Sequence, residues 1–163
     1  MRLYLMQHGK AESGDTDSQK TLTDEGRAEV EKVAAFLART APTKQGQVLH
    51  SGKTRARQTA EILAGIDANL RVKEAPDLAP MDDPAIWAER AAGLQEAVAL
   101  VGHMPHLSRL ASLLLCGDPD ETVVSVANGG MVCLERSTEG DWAVRWSVVP
   151  WLLGHAPSEG VDR

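Results

Sequence analysis

The sequence predicts an α/β fold in three layers, with a mostly parallel central sheet and helices on both faces. Three observations carry this. Short apolar runs around Leu3, Val48 and Leu100 are each followed by a stretch with helical spacing, the alternation that builds a parallel sheet. The run Ala97–Val101 is apolar without a break, as in a central strand covered on both faces. In the last third the pattern changes to short β-type runs separated by turn residues, which gives a hairpin-rich carboxyl part.

Each element follows in order. Arg2–Met6 is a buried strand that stops at Gln7-His8-Gly9. Lys10–Lys20 has no hydrophobic period and reads as a loop forming a rim over the strand end. Thr23 then caps a helix whose first turn carries Asp24 and Glu25 and whose inward face is Val30, Val33, Ala34 and Leu37; Pro42 stops it. Gln47–His50 is a second strand, Ser51-Gly52 its turn, and Ser51 the expected cap of a helix with Ala56, Ala60 and Leu63 inward. Arg55 falls in the first turn of that helix, where a cation opposes the dipole unless it shares an anion.

Residues 65–85 are irregular around one short strand at Leu70–Lys73, and a helix runs from Pro84 to Leu94 with Trp87, Ala91 and Leu94 on one face. The strand Ala97–Val101 ends at Gly102-His103, and Pro105 opens an apolar helix over Leu107–Leu115. Val123–Val126, Met131–Glu135 and Trp142–Val149 read as strands joined by turns at Asn128-Gly129-Gly130 and Thr138–Asp141; the tail from Pro157 is expected to fray.

Composition narrows the function classes. With 163 residues, 43% of them hydrophobic, the chain can bury one sizeable core, so a single domain over residues 1–163 is expected. A formal net charge of −6 argues against broad attraction to nucleic acid or to an anionic membrane, each of which needs a basic face. The apolar run at the amino end, about five residues, is too short for a signal peptide core or a spanning helix, and a cytoplasmic protein is expected. Cys116 and Cys133 stand in apolar surroundings without metal-ligand spacing and read as buried free thiols.

The apolar strands hand over at their carboxyl ends to His8, to Ser51 ahead of Arg55, and to His103. In a parallel sheet those ends share one edge, so two imidazoles and a guanidinium can converge on one pocket. A neutral imidazole is a competent nucleophile, and phosphoryl transfer needs little beyond in-line placement and donors to the equatorial oxygens. Arg55 offers a two-pronged clamp, the first turn of its helix an anion site, and a protonated His103 a further donor. Taken singly, each residue has an ordinary structural reading: His8 as a strand-end turn, His103 as a helix cap, Arg55 as a solvated side chain.

Taken jointly, Leu-Met-Gln-His-Gly-Lys-Ala at 5–11, Leu-Thr-Asp-Glu-Gly at 22–26, Ser-Gly-Lys-Thr-Arg-Ala-Arg-Gln-Thr-Ala at 51–60 and Val-Gly-His-Met-Pro at 101–105 resemble the histidine phosphatase superfamily. Short length, and the lack of a long insertion between the second and third of the strand-end motifs, make the chain most similar to the small SixA-type phosphohistidine phosphatases. The resemblance implies a phosphoglycerate mutase-like fold and a metal-independent phosphatase in signal transduction, with no cofactor and with a phosphohistidine-bearing protein as substrate. By position, His8 matches the nucleophile that becomes phosphohistidine, Arg55 the helix arginine that holds the phosphate, and His103 the second histidine contacting it. Thr23 and Gly26 match a structural helix start.

Two departures refine this. The family pattern has arginine before the nucleophile, and here Gln7 can donate hydrogen bonds to a phosphate oxygen but lacks the charge and the fork. Gln7 is therefore expected to be a phosphate ligand of a weaker site. Phosphomonoesterases of the superfamily also place an acid between the later motifs to protonate an alkoxide. Glu74, Asp77, Asp82 and Asp83 lie there without a recognisable setting, so no dedicated acid is expected, which fits a phosphoramidate substrate. The alternatives are a small-molecule phosphomonoesterase using Asp82 or a neighbour, and a phospho-ligand binding module impaired by Gln7. The short loops predict a shallow, open site. His106 reads as a helix-surface or rim residue, His50 as a residue behind the site, and Trp142, Trp146 and Trp151 as core and edge packing.

Overall fold

A computed structural model describes residues 1–14, 16–40 and 46–154. A single six-stranded sheet runs through the molecule: β1 (Arg2–Gln7), β2 (Gly46–His50), β3 (Leu70–Glu74), β4 (Val98–Gly102), β5 (Met131–Arg136) and β6 (Trp142–Val148), in the spatial order β3-β2-β4-β1-β5-β6. The first four strands are parallel, and β5 and β6 add antiparallel neighbours beside β1. Helices α1 (Asp24–Thr40) and α2 (Thr54–Ala64) lie on one face, α3 (Pro84–Gly93) and α4 (His106–Cys116) on the other. This is the three-layer α/β fold that the sequence predicts.

Strand periodicity divides the core into its two layers. Leu3 and Leu5 of β1 and Val98 and Leu100 of β4 point to the α3/α4 side, where Trp87, Ala91, Leu107 and Leu110 cover them. Tyr4, Met6, Ala99 and Val101 point the other way, onto Val30, Val33, Ala56 and Ala60. Each fully buried leucine contributes about 1.5–3 kcal/mol, so the two layers hold β1 and β4 rigidly between them.

Register then sets where the site can form. Gln7 pairs with Gly102, and His50 pairs with Val101, so β1, β2 and β4 all end at one edge of the sheet. His8, Ser51 and His103 are the next residues out.

Several local expectations need correction. Val123–Val126 is not a strand: its backbone is taken by side chains of α4, Ser108 Oγ donating to Val124 O and the Val123 N–H donating to Ser112 Oγ, and only the following Asn128 makes a single bridge, to Gln7. Asn128-Gly129-Gly130 consequently leads from an irregular segment into β5 instead of closing a hairpin, whereas 137–141 does join β5 to β6. Cys116, at the last turn of α4, is exposed, while Cys133 in β5 is buried. Trp142 and Trp146 pack at the sheet margins, but Trp151 is largely exposed. His106 is wholly buried in the first turn of α4 and is no rim residue. The expected stop at Pro42 and the tail from Pro157 lie outside the described residues. Among the described residues, no helix is long and apolar enough to cross a membrane.

Candidate active site

The strand-end turn is fixed by hydrogen bonds from several elements. The His8 N–H donates to Gly102 O (3.2 Å), which ties β1 to β4. The His8 carbonyl accepts from the Asn128 side-chain amide (3.0 Å) and from the Gly129 N–H (3.2 Å). The Gly9 N–H donates to Oγ1 of Thr59 on α2 (3.1 Å), and that hydroxyl donates in turn to Arg55 O (2.8 Å). A Cβ on Gly9 would stand 2.8 Å from Gly26 O and from Val30 Cγ2, so only glycine lets the turn approach α1. The start of α1 is shaped for the same contact: Thr23 Oγ1 accepts from the Gly26 N–H at 2.9 Å as the expected cap, and the Thr23 N–H donates to Lys10 O at 3.0 Å.

These bonds settle the state of His8. Its Nδ1 lies 2.7 Å from Gly9 O, a group that can only accept, so Nδ1 carries the proton and Nε2 keeps its lone pair. Arg55 Nε donates to that Nε2 at 3.1 Å. Burial lowers the His8 pKa below the ordinary histidine value; the Gly9 carbonyl opposes the shift and the Arg55 charge adds to it. The imidazole is neutral at neutral pH.

Arg55 is only 7% exposed although it sits in the first turn of α2. The anion that such a position calls for is Asp17, in the short turn Asp17–Gln19 of the rim loop. Arg55 Nη1 donates to Asp17 O (2.6 Å) and Nη2 to Asp17 Oδ1 (3.0 Å), while the other carboxylate oxygen takes Lys53 Nζ. The Lys53 hydrogen bond is the main cause of a lowered Asp17 pKa, and this carboxylate is ionised at neutral pH. The rim loop therefore does sit over the strand end. It closes on Arg55 and Lys53 through Asp17.

His103 is 2% exposed, with its ring centroid 4.9 Å from that of His8. Burial, then the neighbouring His8, Arg55 and Lys53, push its pKa down to about 3, so it is neutral here and not the protonated donor envisaged from sequence. Its Nε2 lies 2.6 Å from Ser51 Oγ. Ser51 is thus a partner of His103 instead of the cap of α2; Lys53 occupies that cap position and α2 has no side-chain cap. Gln7 ends β1 half-buried, immediately before His8, its backbone held by Gly102 and Asn128.

The acidic candidates have local duties. Asp82 accepts from the Ala79 N–H (2.7 Å), Asp83 caps α3 through the Ala85 N–H (2.9 Å), and Asp77, in a left-handed conformation, pairs with Arg90 (2.6 Å). Glu74 packs against Gly52, whose added Cβ would lie 2.7 Å from its Oε1. His50 is buried behind the site, its Nδ1 accepting from the Gly52 N–H at 3.1 Å. Among the described residues, no group of three or more His, Cys, Asp or Glu side chains is placed to hold a metal ion.

The structure thus brings His8, Arg55 and His103 together, with Gln7 beside them, and adds three residues that the sequence reading did not place at the site: Asp17, Lys53 and Ser51 in its new role. The unsatisfied cation position of Arg55 was the one sequence signal for Asp17.

Comparison with known proteins agrees with the geometry. The profile of the histidine phosphatase superfamily (branch 1) matches residues 3–83. An uncharacterised protein of Picosynechococcus sp. (strain ATCC 27264 / PCC 7002 / PR-6) is 34% identical over 124 residues, which span 72% of this chain and 74% of that protein. In fold, the chain is similar to the protein histidine phosphatase SixA complexed with tungstate, with a TM-score of 0.78 and 23% identity over 94% of this chain and 99% of that one. It is also similar to the alpha-ribazole phosphatase from Shigella flexneri, with a TM-score of 0.74 and 17% identity over 92% and 96% of the two chains.

Proposed function

The chain belongs to the histidine phosphatase superfamily, and from that premise we propose that it is a phosphatase acting on protein phosphohistidine through a covalent phosphoryl intermediate on His8 Nε2. The observation that carries the proposal is the fixed tautomer of His8: a proton on Nδ1 held by Gly9 O, and a lone pair on Nε2 directed at the Arg55 guanidinium.

The reaction needs only these groups. Nε2 of His8 attacks phosphorus as the substrate's P–N bond breaks, and the substrate imidazole, already protonated on its other nitrogen, leaves as a neutral ring. Arg55 turns its donors to the equatorial oxygens, where charge builds. The Nδ1 proton held by Gly9 O makes the phosphorylated His8 ring cationic and a good leaving group. Water then attacks phosphorus, the bond to Nε2 breaks, and inorganic phosphate takes up the water's remaining proton. An arriving phosphoryl dianion offsets the positive surroundings of His103 and favours its donor form, with Ser51 orienting the ring.

Substrate choice follows from the leaving group. An alkoxide needs a proton at departure, and the carboxylate at this site, Asp17, is ionised and bound to cations. Imidazole needs none. The test compares turnover of a phosphohistidine protein or phosphoramidate with that of an alkyl phosphate, with and without a chelator. Preference for the phosphoramidate, unaffected by chelation, is expected; a strong preference for the alkyl ester would make the chain a small-molecule phosphomonoesterase.

A further inference from the structure

The charge around His8 does not balance a phosphoryl dianion if only the motif residues are counted. His8 and His103 are neutral in the resting site, Gln7 is uncharged, and Arg55 brings one positive charge. A second cation is present. Lys53 precedes the first turn of α2, two residues before Arg55, and its side chain is only 21% exposed. Its Nζ and the Arg55 guanidinium are joined by one carboxylate, Oδ2 of Asp17 on Lys53 and Oδ1 on Arg55. The same guanidinium touches the nucleophilic nitrogen of His8 at 3.1 Å.

We propose that Lys53 is a phosphate ligand of this site, supplying the charge that Gln7 does not, and that the Asp17 carboxylate holds the oxyanion's place until a phosphoryl group displaces it. A phosphoryl group offers the same kind of paired oxygens as a carboxylate, on a tetrahedral centre with one more negative charge, and so competes well for a lysine and an arginine set one carboxylate apart. The uncapped start of α2 adds its positive end to the two side chains. Asp17 is the exchangeable partner, because its side chain is 54% exposed and its pairing is correspondingly weak in water. Resting, Asp17 cancels one of the two positive charges; loaded, Lys53 and Arg55 both face the dianion.

The inference rests on the phosphoryl-transfer reading, and its test separates the two. Binding of inorganic phosphate and of orthovanadate is measured directly by titration calorimetry on the full chain, so catalysis is not required. Lys53→Met should bind about ten- to a hundredfold more weakly, the range for one charge-assisted hydrogen bond, and Lys53→Arg should bind like the parent. Gln7→Arg in the Lys53→Met background should restore affinity by returning a cation to the neighbouring position. Asp17→Asn should bind roughly two- to fivefold more tightly, on the scale of a half-exposed ion pair. Unchanged binding in Lys53→Met, with the protein folded by circular dichroism, overturns the role of Lys53. Weaker binding in Asp17→Asn overturns the role of Asp17 as a placeholder. A parent protein that binds neither anion overturns the phosphoryl-transfer reading itself.

Discussion

Thr59→Val removes the hydroxyl that links α2 to the strand-end turn while keeping the side chain's shape. Thr59 is 0% exposed, its Oγ1 accepts from the Gly9 N–H at 3.1 Å, and it donates to Arg55 O at 2.8 Å. The Arg55 carbonyl lies within α2 and keeps its helical partner, so that loss is small. The Gly9 N–H is different: the close approach of Gly26 and Val30 leaves it no room to turn toward water. A buried donor without a partner costs about 1–3 kcal/mol. For a chain of this size each kcal/mol lowers Tm by about 2–4 °C, so a central value of about 2 kcal/mol predicts a drop of roughly 4–8 °C. Scanning calorimetry with a parallel urea titration reads the change, and Thr59→Ser, which keeps the hydroxyl, should recover most of it. Because Gly9 O also holds the His8 proton, kcat should fall as well. A Thr59→Val protein as stable as the parent would refute the claim that this hydroxyl pins the turn.

Other outcomes follow from burial and charge. The folded-state pKa of His103 is depressed to about 3, below the ordinary value of about 6.5 in the unfolded chain. Between those values the unfolded chain binds the extra proton, so stability is full above the upper one and declines as pH falls toward the lower one; His103→Gln should flatten that part of a stability–pH curve. The lowered His8 pKa extends activity to pH values below the ordinary histidine range, with loss only when the nucleophile itself is protonated, as a kcat/KM profile would record. A thiol reagent should titrate one cysteine in the native protein, Cys116, and not Cys133, which is buried and has its pKa raised to about 11; fast reaction of both would contradict the packing of β5.

What was readable in the chain was whatever local pattern controls. Apolar runs located β1, β2 and β4, the Thr23 cap marked the start of α1, and the parallel alternation put His8, Arg55 and His103 at one sheet edge. What was not readable depends on partners distant in sequence. Ser51 has the composition and position of a helix cap, and only the closeness of β2 to β4 turns its hydroxyl toward His103, 52 residues away. Asp17 stands in a polar loop whose closure on α2 no periodicity records. Val123–Val126 has strand-forming residues, but Ser108 and Ser112 of α4 take its backbone groups in place of a neighbouring strand. His106 follows Pro105 at a helix start, where exposure is usual, yet the apolar layer under α4 encloses it completely.

The covalent step on His8 is the claim from which the rest of the mechanism follows, and trapping the phosphoryl group tests it most directly. Protein quenched in alkali during turnover of a labelled phosphoramidate, then digested and sequenced by mass spectrometry, should carry phosphate on the peptide containing His8. The label should be stable in alkali and lost in acid, as a phosphorylated imidazole is, and absent from His8→Ala. Turnover without label on the parent protein, or label that persists in His8→Ala, would contradict the account.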